Sequence, residues 1–231
     1  MYDIIFISYN EPNADANFEK LKRRFPYAQR INGIKGIHQA HIAAANKAFT
    51  KMFWVVDGDA EIVDTFNFDY VVSKYDLECV HVWRSRNPIN SLEYGYGGVK
   101  LLPKALTAKL DITKPDMTTS ISPLFKAMPE ISNITAFNTD PFNTWKSAFR
   151  ECCKLSSRVI DRQDDLETQQ RLEAWCTLNE STPYGAHAYI GAIAGKYFGL
   201  FWQNAPSELA KINDFDWLRE QYEMSKDKIN G

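Results

Sequence analysis

Apolar residues run unbroken through IIFI at 4–7 and MFWVV at 52–56, with polar or charged residues closing both runs. Short β-branched and aromatic runs of this kind predict strands buried on both faces. Between them the period changes. Phe18, Leu21 and Phe25 recur at helical spacing from Asp15 up to Pro26, and AHIAAANKAF predicts a second helix from about His38 to Phe49. AQRI at 28–31 reads as a short strand between the two helices. Strand, helix, strand, helix, strand up to Val56 is the βαβ rhythm of a parallel sheet with helices on its faces. Further on, VHVWRSRNPINSLEYGYGGVKLLPKA reads as strand, loop, strand, and a helix is expected to open at Pro141. DDLETQQRLEAWCTL and DFDWLREQYEM follow as amphipathic helices that serve as cover. No internal repeat, low-complexity run or linker interrupts the chain. The expected fold class is α/β, a mostly parallel Rossmann-type sheet flanked by helices with a helical C-terminal part, in a single domain over 1–231.

Composition narrows the function classes. With 45% apolar and 13% aromatic residues in 231, the chain has enough material for a real core. A formal net charge of −2 gives no global attraction to nucleic acid or to an anionic membrane, so a polyanionic partner must be held by a local patch. No apolar run approaches the roughly 18 residues of a membrane span, and MYDIIFISYN has an early acid and no basic leader. A cytoplasmic location is therefore expected. Cys79, Cys152, Cys153 and Cys176 show no CxxC spacing and read as buried free thiols.

The chemistry concentrates in DGDA, where Asp57 and Asp59 follow the third predicted strand with one glycine between them. In open α/β sheets ligands occupy the crevice beyond the strand C-termini. Residues two apart on a strand point to one side, so both carboxylates face one guest. Two adjacent anions need a cation, and their oxygens suit Mg²⁺ or Mn²⁺. Gly58 leaves room for that approach. The competing reading is a polar β-turn, because DGDA is ordinary turn chemistry. His38 and His41, at i and i+3, could face a metal together; a helix-face or base-edge role is assigned instead, since the aspartates already supply the cation site. Asp140 is the first choice for a catalytic base, as it follows an apolar run and precedes Pro141. An Asp before Pro is equally a helix N-cap. Lys146, Arg150, Lys154, Arg158 and Arg162 recur every four residues, a basic stripe of the kind a DNA acceptor needs. The alternative is a solvated helix face, with Glu151, Asp161, Asp164 and Asp165 nearby to compensate.

A strand ending in D-x-D after βαβ units, with SYNEP following the first strand, resembles the GT-A glycosyltransferases that use nucleotide-sugar donors. More narrowly, GIKGIHQAHIAAANKA, FWVVDGDAEI and RSRNPINSLEYGYGGVKLLP are similar to small glycosyltransferase-like proteins of tailed bacteriophages, some associated with sugar attachment to hydroxymethylated DNA bases. The resemblance implies a GT-A-like domain whose nucleotide-sugar half spans 1–105, with 106–231 as acceptor side and cover. It implies that Asp57 and Asp59 hold Mn²⁺ or Mg²⁺ against the donor diphosphate, with Gly58 at the donor. It places Ser8, Tyr9, Asn10 and Glu11 around the nucleoside and Lys35, between Gly33 and Gly36, on a phosphate. Arg84 and Arg86 would grip phosphate or, as the alternative, pair with surface acids. In PYGAHAYIGAIAGKYFG it implies that His187 completes the metal shell and Lys196 meets the departing diphosphate, against the alternative of a buried histidine on a small-residue helix. The function implied is transfer of a sugar to an acceptor hydroxyl, foremost a hydroxymethylated pyrimidine in phage DNA, in the host cytoplasm. A protein, lipid or glycan acceptor, a nucleotidyltransferase and a non-catalytic nucleotide-sugar-binding module are the alternatives. SYNEPNAD lacks the glycine and basic run that a nucleotidyltransferase carries after its first strand.

Overall fold

The computed structural model describes residues 1–95, 97–112, 117–159 and 164–225. Within it the chain packs as two compact units, Met1–Asn87 with Glu93–Ala136, and Pro88–Leu92 with Phe137–Gly231. Where the sequence suggests a functional division near residue 105 of one domain, packing divides the chain after Ala136.

The first unit holds β1 (Asp3–Ser8), α1 (Ala14–Arg24), β2 (Gln29–Asn32), α2 (Ile37–Lys47), β3 (Met52–Asp57), β4 (Ala60–Ile62), β5 (Val80–Arg86), β6 (Glu93–Tyr94), β7 (Val99–Pro103), α3 (Lys104–Thr107), α4 (Met117–Ile121) and β8 (Phe125–Thr135). The strand order is β2-β1-β3-β7-β5-β8-β4, with β6 beside β5. The apolar runs have no alternation because each strand is buried on both faces. Ile4, Phe6, Trp54 and Val56 face one cluster with Leu21 of α1, Phe66 and Phe68. Ile5, Ile7, Phe53 and Val55 face the other, with Ala44 and Ala45 of α2 and Met117 and Ile121 of α4.

The expectation of a mostly parallel sheet is corrected to a mixed one. β2, β1 and β3 are parallel, as the βαβ rhythm requires. β7 is antiparallel to both β3 and β5. Between β5 and β7 the described residues form a loop and the two residues of β6, with no helix of the kind that usually carries the crossover to a parallel partner. β8, reached through α3 and α4, returns parallel to β5. β3 and β4 are separated by Gly58 and Asp59 alone, yet stand third and last in the strand order. The sheet therefore curls, and its far edge comes back to the turn between the two aspartates.

The second unit contains α5 (Pro141–Ser157), α6 (Asp165–Trp175), α7 (Gly185–Phe201), α8 (Pro206–Leu209), a 3₁₀ turn (Ala210–Asn213) and α9 (Phe215–Ser225). Helix α5 has two apolar faces. Trp145, Phe149 and Cys153 pack with Leu218 and Tyr222 of α9, while Ala148, Cys152 and Leu155 pack with Trp175, Ala192 and the loop residue Ile89. Helix α7 lies against α5 through glycines four apart. A Cβ added at Gly191, Gly195 or Gly199 would fall 2.4 Å from the Trp145 carbonyl, 2.1 Å from the Phe149 carbonyl or 2.5 Å from the Cys153 carbonyl. The small residues of GAHAYIGAIAG are there because two backbones meet. No helix among the described residues is long and apolar enough to cross a membrane.

Candidate functional site

The C-terminal ends of β1 and β3 bring Ser8, Glu11, Asp57, Gly58 and Asp59 together. Asp57 is the last residue of β3, in register with Ile7 of β1, and its N–H donates to the Gly98 carbonyl at 2.9 Å. Gly58 is pressed against the loop after β1: a Cβ there would sit 2.7 Å from Glu11 Oε2 and 3.0 Å from the Ser8 Cβ. Its own carbonyl accepts from Asn17 Nδ2 at 3.0 Å. The carbonyl of Asp59 accepts from the Ala136 N–H at 2.9 Å, which fixes the other side of the turn. The DGD segment is thus a turn, as its composition allows, and it also presents two carboxylates at the sheet's rim.

Sequence reasoning missed the residue that dominates the electrostatics. Lys100 of β7 donates to both Asp57 oxygens at 2.8 Å and also to the Gly97 carbonyl. Its side chain is 2% exposed, against 25% for Asp57, so the pair is dry on the lysine side and open to solvent on the carboxylate side. The signal was available: Lys100 is the one cation in GGVKLLP, and every residue of β7 is buried. A lysine inside such a run needs a buried acid to hold its charge.

Burial pushes the Asp57 carboxyl up, and Lys100 pulls it back. Asp59 is raised to about 7, first by burial and then by the charges of Asp57 and Glu11, with Lys100 opposing. Three carboxylates therefore share one ammonium, leaving an excess of two negative charges when all are ionised. A hard divalent cation characteristically takes one or two protein carboxylates and completes its shell with water and substrate phosphate, and Asp57 and Asp59 are the residues here that could hold one. Among the described residues no group of three or more His, Cys, Asp or Glu side chains is arranged to hold a metal ion.

The loop after β1 combines bracing and open side chains. Ser8 is buried, donates to Asn32 Oδ1 at 2.9 Å and accepts from Arg30 Nε at 2.9 Å. Arg30 also pairs with Asp15 at 2.6 Å. Glu11 folds back to accept from the Tyr9 N–H at 2.7 Å. The Tyr9 and Asn10 side chains are exposed. Lys35 is exposed between Gly33 (φ 79°) and Gly36 (φ 98°), two left-handed positions that favour glycine. On α2, His38 meets Ser120 at 3.3 Å. His41 is buried: Nδ1 donates to the Ile37 carbonyl at 2.8 Å, and Nε2 has no partner. Burial and then the Lys100 charge lower its pKa to about 3, so the ring is neutral. Arg84 is exposed; Arg86 pairs with Glu93 at 2.8 Å, the alternative foreseen for these arginines. A buried network of Ser85, Ser132, Asn133 and Thr135 abuts Gly98 and so braces the backbone to which Asp57 is bound.

The remaining candidates belong to the second unit. Asp140 is the N-cap of α5, its Oδ1 accepting from the Asn143 N–H at 2.8 Å, so the capping alternative describes what it does. His187 Nδ1 lies 3.2 Å from the Tyr222 hydroxyl. The Lys196 charge reaches Cys152 and Cys176, whose thiols are hydrogen-bonded; that bond is the main reason the Cys176 pKa falls to about 7. In the basic stripe, Lys146 and Arg150 lie over the Phe215 ring at 4.4 and 5.6 Å. Lys154 is half-buried, Arg158 pairs with Asp165, and Arg162 lies outside the described residues. The stripe is largely engaged in packing and ion pairing.

No protein-family model and no curated protein matches this chain. Among solved structures it is similar to the crystal structure of HddC from Yersinia pseudotuberculosis, at a TM-score of 0.36 and 13% identity, over 57% of this chain and 90% of that one. A likeness of that degree carries no weight for function.

Proposed function

We propose that this protein is a nucleotide-sugar-dependent glycosyltransferase whose donor diphosphate is held at the C-terminal rim of β1 and β3. The observation that carries the reading is the turn joining β3 to β4, where Asp57, Asp59 and Glu11 hold more negative charge than Lys100 offsets. That excess suits a divalent ion bridging protein and diphosphate, and the D-x-D at the end of a βαβ unit supplies the resemblance to GT-A enzymes. Asp57 and Asp59 would hold the ion, Mn²⁺ or Mg²⁺. When bound, it supplies positive charge against the diphosphate leaving group. Tyr9 and Asn10 are exposed to meet the nucleoside, and Lys35 and Arg84 are exposed to meet phosphate. Gly58 keeps the rim narrow enough for Glu11 to stand beside the aspartates.

Asp140, His187 and Lys196 enter no step of this proposal, because the contacts each makes belong to the second unit. A hydroxymethylated pyrimidine in DNA is the acceptor that the resemblance to phage proteins supports. The test is metal-dependent turnover of nucleotide sugars by the full chain, with mass spectrometry of treated hydroxymethylated DNA as the acceptor assay. Asp59→Asn should abolish turnover while the circular dichroism spectrum is retained, and Asp57→Asn should abolish it at a cost in stability, because the buried Lys100 ammonium loses its carboxylate. Turnover unchanged in both variants would refute the assignment.

A further inference from the structure

We propose that Cys152 and Cys176 form a reversible dithiol–disulfide site in the helical unit, with Cys176 as the thiol that meets a hydroperoxide and Cys152 as the thiol that resolves the product. The site lies apart from the carboxylate rim and stands whether or not the protein transfers a sugar. All four cysteines are free. Two of them meet: the thiols of Cys152 and Cys176 are hydrogen-bonded, and both side chains belong to the cluster that α5 forms with Trp175 and Ala192. Cys153 faces the opposite cluster with α9, and Cys79 belongs to the first unit.

The two thiols are unlike, and the difference assigns their roles. Cys176, expected to be buried, is half-buried where α6 ends, beside the exposed Thr177 and Leu178, so a small oxidant reaches it from solvent. Cys152 is 0% exposed within α5 and is shielded from that oxidant. Ala188 and Ala192 of α7 face the same cluster, and Lys196 continues their row one turn further on. That lysine, which has no part at the rim, sets positive charge near Cys176. The hydrogen bond from Cys152, against burial and with the help of Lys196, lowers the Cys176 pKa to about 7. Burial and the same bond raise that of Cys152, with Glu151 adding to the rise and Lys196 opposing it. A partly exposed thiolate beside positive charge, with a second thiol in contact, is the arrangement of an oxidation-sensitive cysteine pair.

In the first step the Cys176 thiolate bonds to one peroxide oxygen and the O–O bond breaks. The other oxygen leaves as hydroxide, which takes up the proton that Cys176 released. In the second step the Cys152 sulfur attacks the sulfenic sulfur, so that the S–S bond forms and the S–O bond breaks, and the departing hydroxide leaves as water with the Cys152 proton. The two thiols together give up two electrons, and one hydrogen peroxide becomes two waters. The new bond ties α6 to α5, and a dithiol reductant reverses it.

The experiment treats the folded full-length chain with equimolar hydrogen peroxide, blocks the remaining thiols with N-ethylmaleimide and maps the products by tandem mass spectrometry. Fragmentation between Cys152 and Cys153 tells the two neighbours apart. The expected product is a Cys152–Cys176 link within one chain that dithiothreitol removes. In Cys152→Ser, dimedone should label a sulfenic acid on Cys176, and Cys176→Ser should consume peroxide at least about tenfold more slowly than the wild type. Dimedone labelling on another cysteine, a link through Cys153 or Cys79, a link between chains, or survival of every thiol would overturn the proposal. Should the serine variants not fold, the wild-type map alone decides between these outcomes.

Discussion

Replacing Gly195 with alanine sets two well-known effects against each other. In an isolated helix the change is favourable, because alanine gains about 1 kcal/mol over glycine in mid-helix. In α7 the new Cβ would lie 2.1 Å from the Phe149 carbonyl oxygen and 2.7 Å from that residue's carbonyl carbon and Cα, all backbone atoms of a neighbouring helix. Nothing there can rotate away, so α7 must retreat by more than about 1 Å to restore ordinary contact, a gap that forfeits a quarter to a half of the dispersion energy at each lost contact. Overpacking of this type costs ~1–3 kcal/mol or more. Here the upper end applies, since Gly191 and Gly199 seat on the same helix and are dragged with it. The expected net effect is a loss of about 2 kcal/mol. Urea unfolding followed by tryptophan fluorescence is a suitable assay, because Trp145, Trp202 and Trp217 belong to the same apolar cluster. A Gly195→Ala protein as stable as the wild type, or more so, would show that the two backbones do not meet. It would also return the small residues of this segment to a functional explanation.

The turn between β3 and β4 gives a second prediction. Asp59 keeps its proton up to about 7 in the folded chain, whereas the unfolded carboxyl loses it near 3.8. The folded state thus binds more protons across that window, so its stability falls as pH rises from about 4 to about 7. The loss is at most about 4 kcal/mol and is reduced by solvent at this half-buried group; Asp59→Asn should flatten the profile in ion-free urea titrations, and an unchanged slope would contradict the shift. Gly58→Ala should push Glu11 away from the rim and weaken nucleotide-sugar turnover at least about tenfold, with little change in thermal stability; full activity would show that Glu11 has no part. Cys176 should be alkylated by iodoacetamide with a midpoint near pH 7 (its own pKa is about 7), well ahead of Cys153, pushed by burial to about 11; uniform labelling of the cysteines would speak against the thiol pair.

The first 57 residues were legible because each strand is a short apolar run and each helix keeps its period: β1, β2, β3, α1 and α2 fall within a residue or two of the expected limits. The rim with its two aspartates followed from that rhythm. The mixed sheet did not, since periodicity reports burial and says nothing of strand direction. β8 was also hidden: seven of its eleven residues precede the first buried one, so no alternation marks them. Lys100 was overlooked because an apolar run is read for its apolar members, and the acid it answers lies 43 positions away. The second unit's candidates, by contrast, rest on residue type and order alone. The N-cap describes the contacts of Asp140, whereas His187 is half-buried rather than buried and meets the Tyr222 hydroxyl.

Ile89 sits in the six-residue loop between β5 and β6, yet it is 4% exposed in the core of the helical unit, and its carbonyl accepts from Asn179 Nδ2 and Thr182 Oγ1. On the ribosome this loop leaves the exit tunnel well before the helices that will bury it, so Ile89 stays without its packing partners until α5, α6 and α7 have been made. For the same reason a fragment beginning at Phe137 lacks a plug worth about 2 kcal/mol and should be prepared with a peptide carrying residues 88–92.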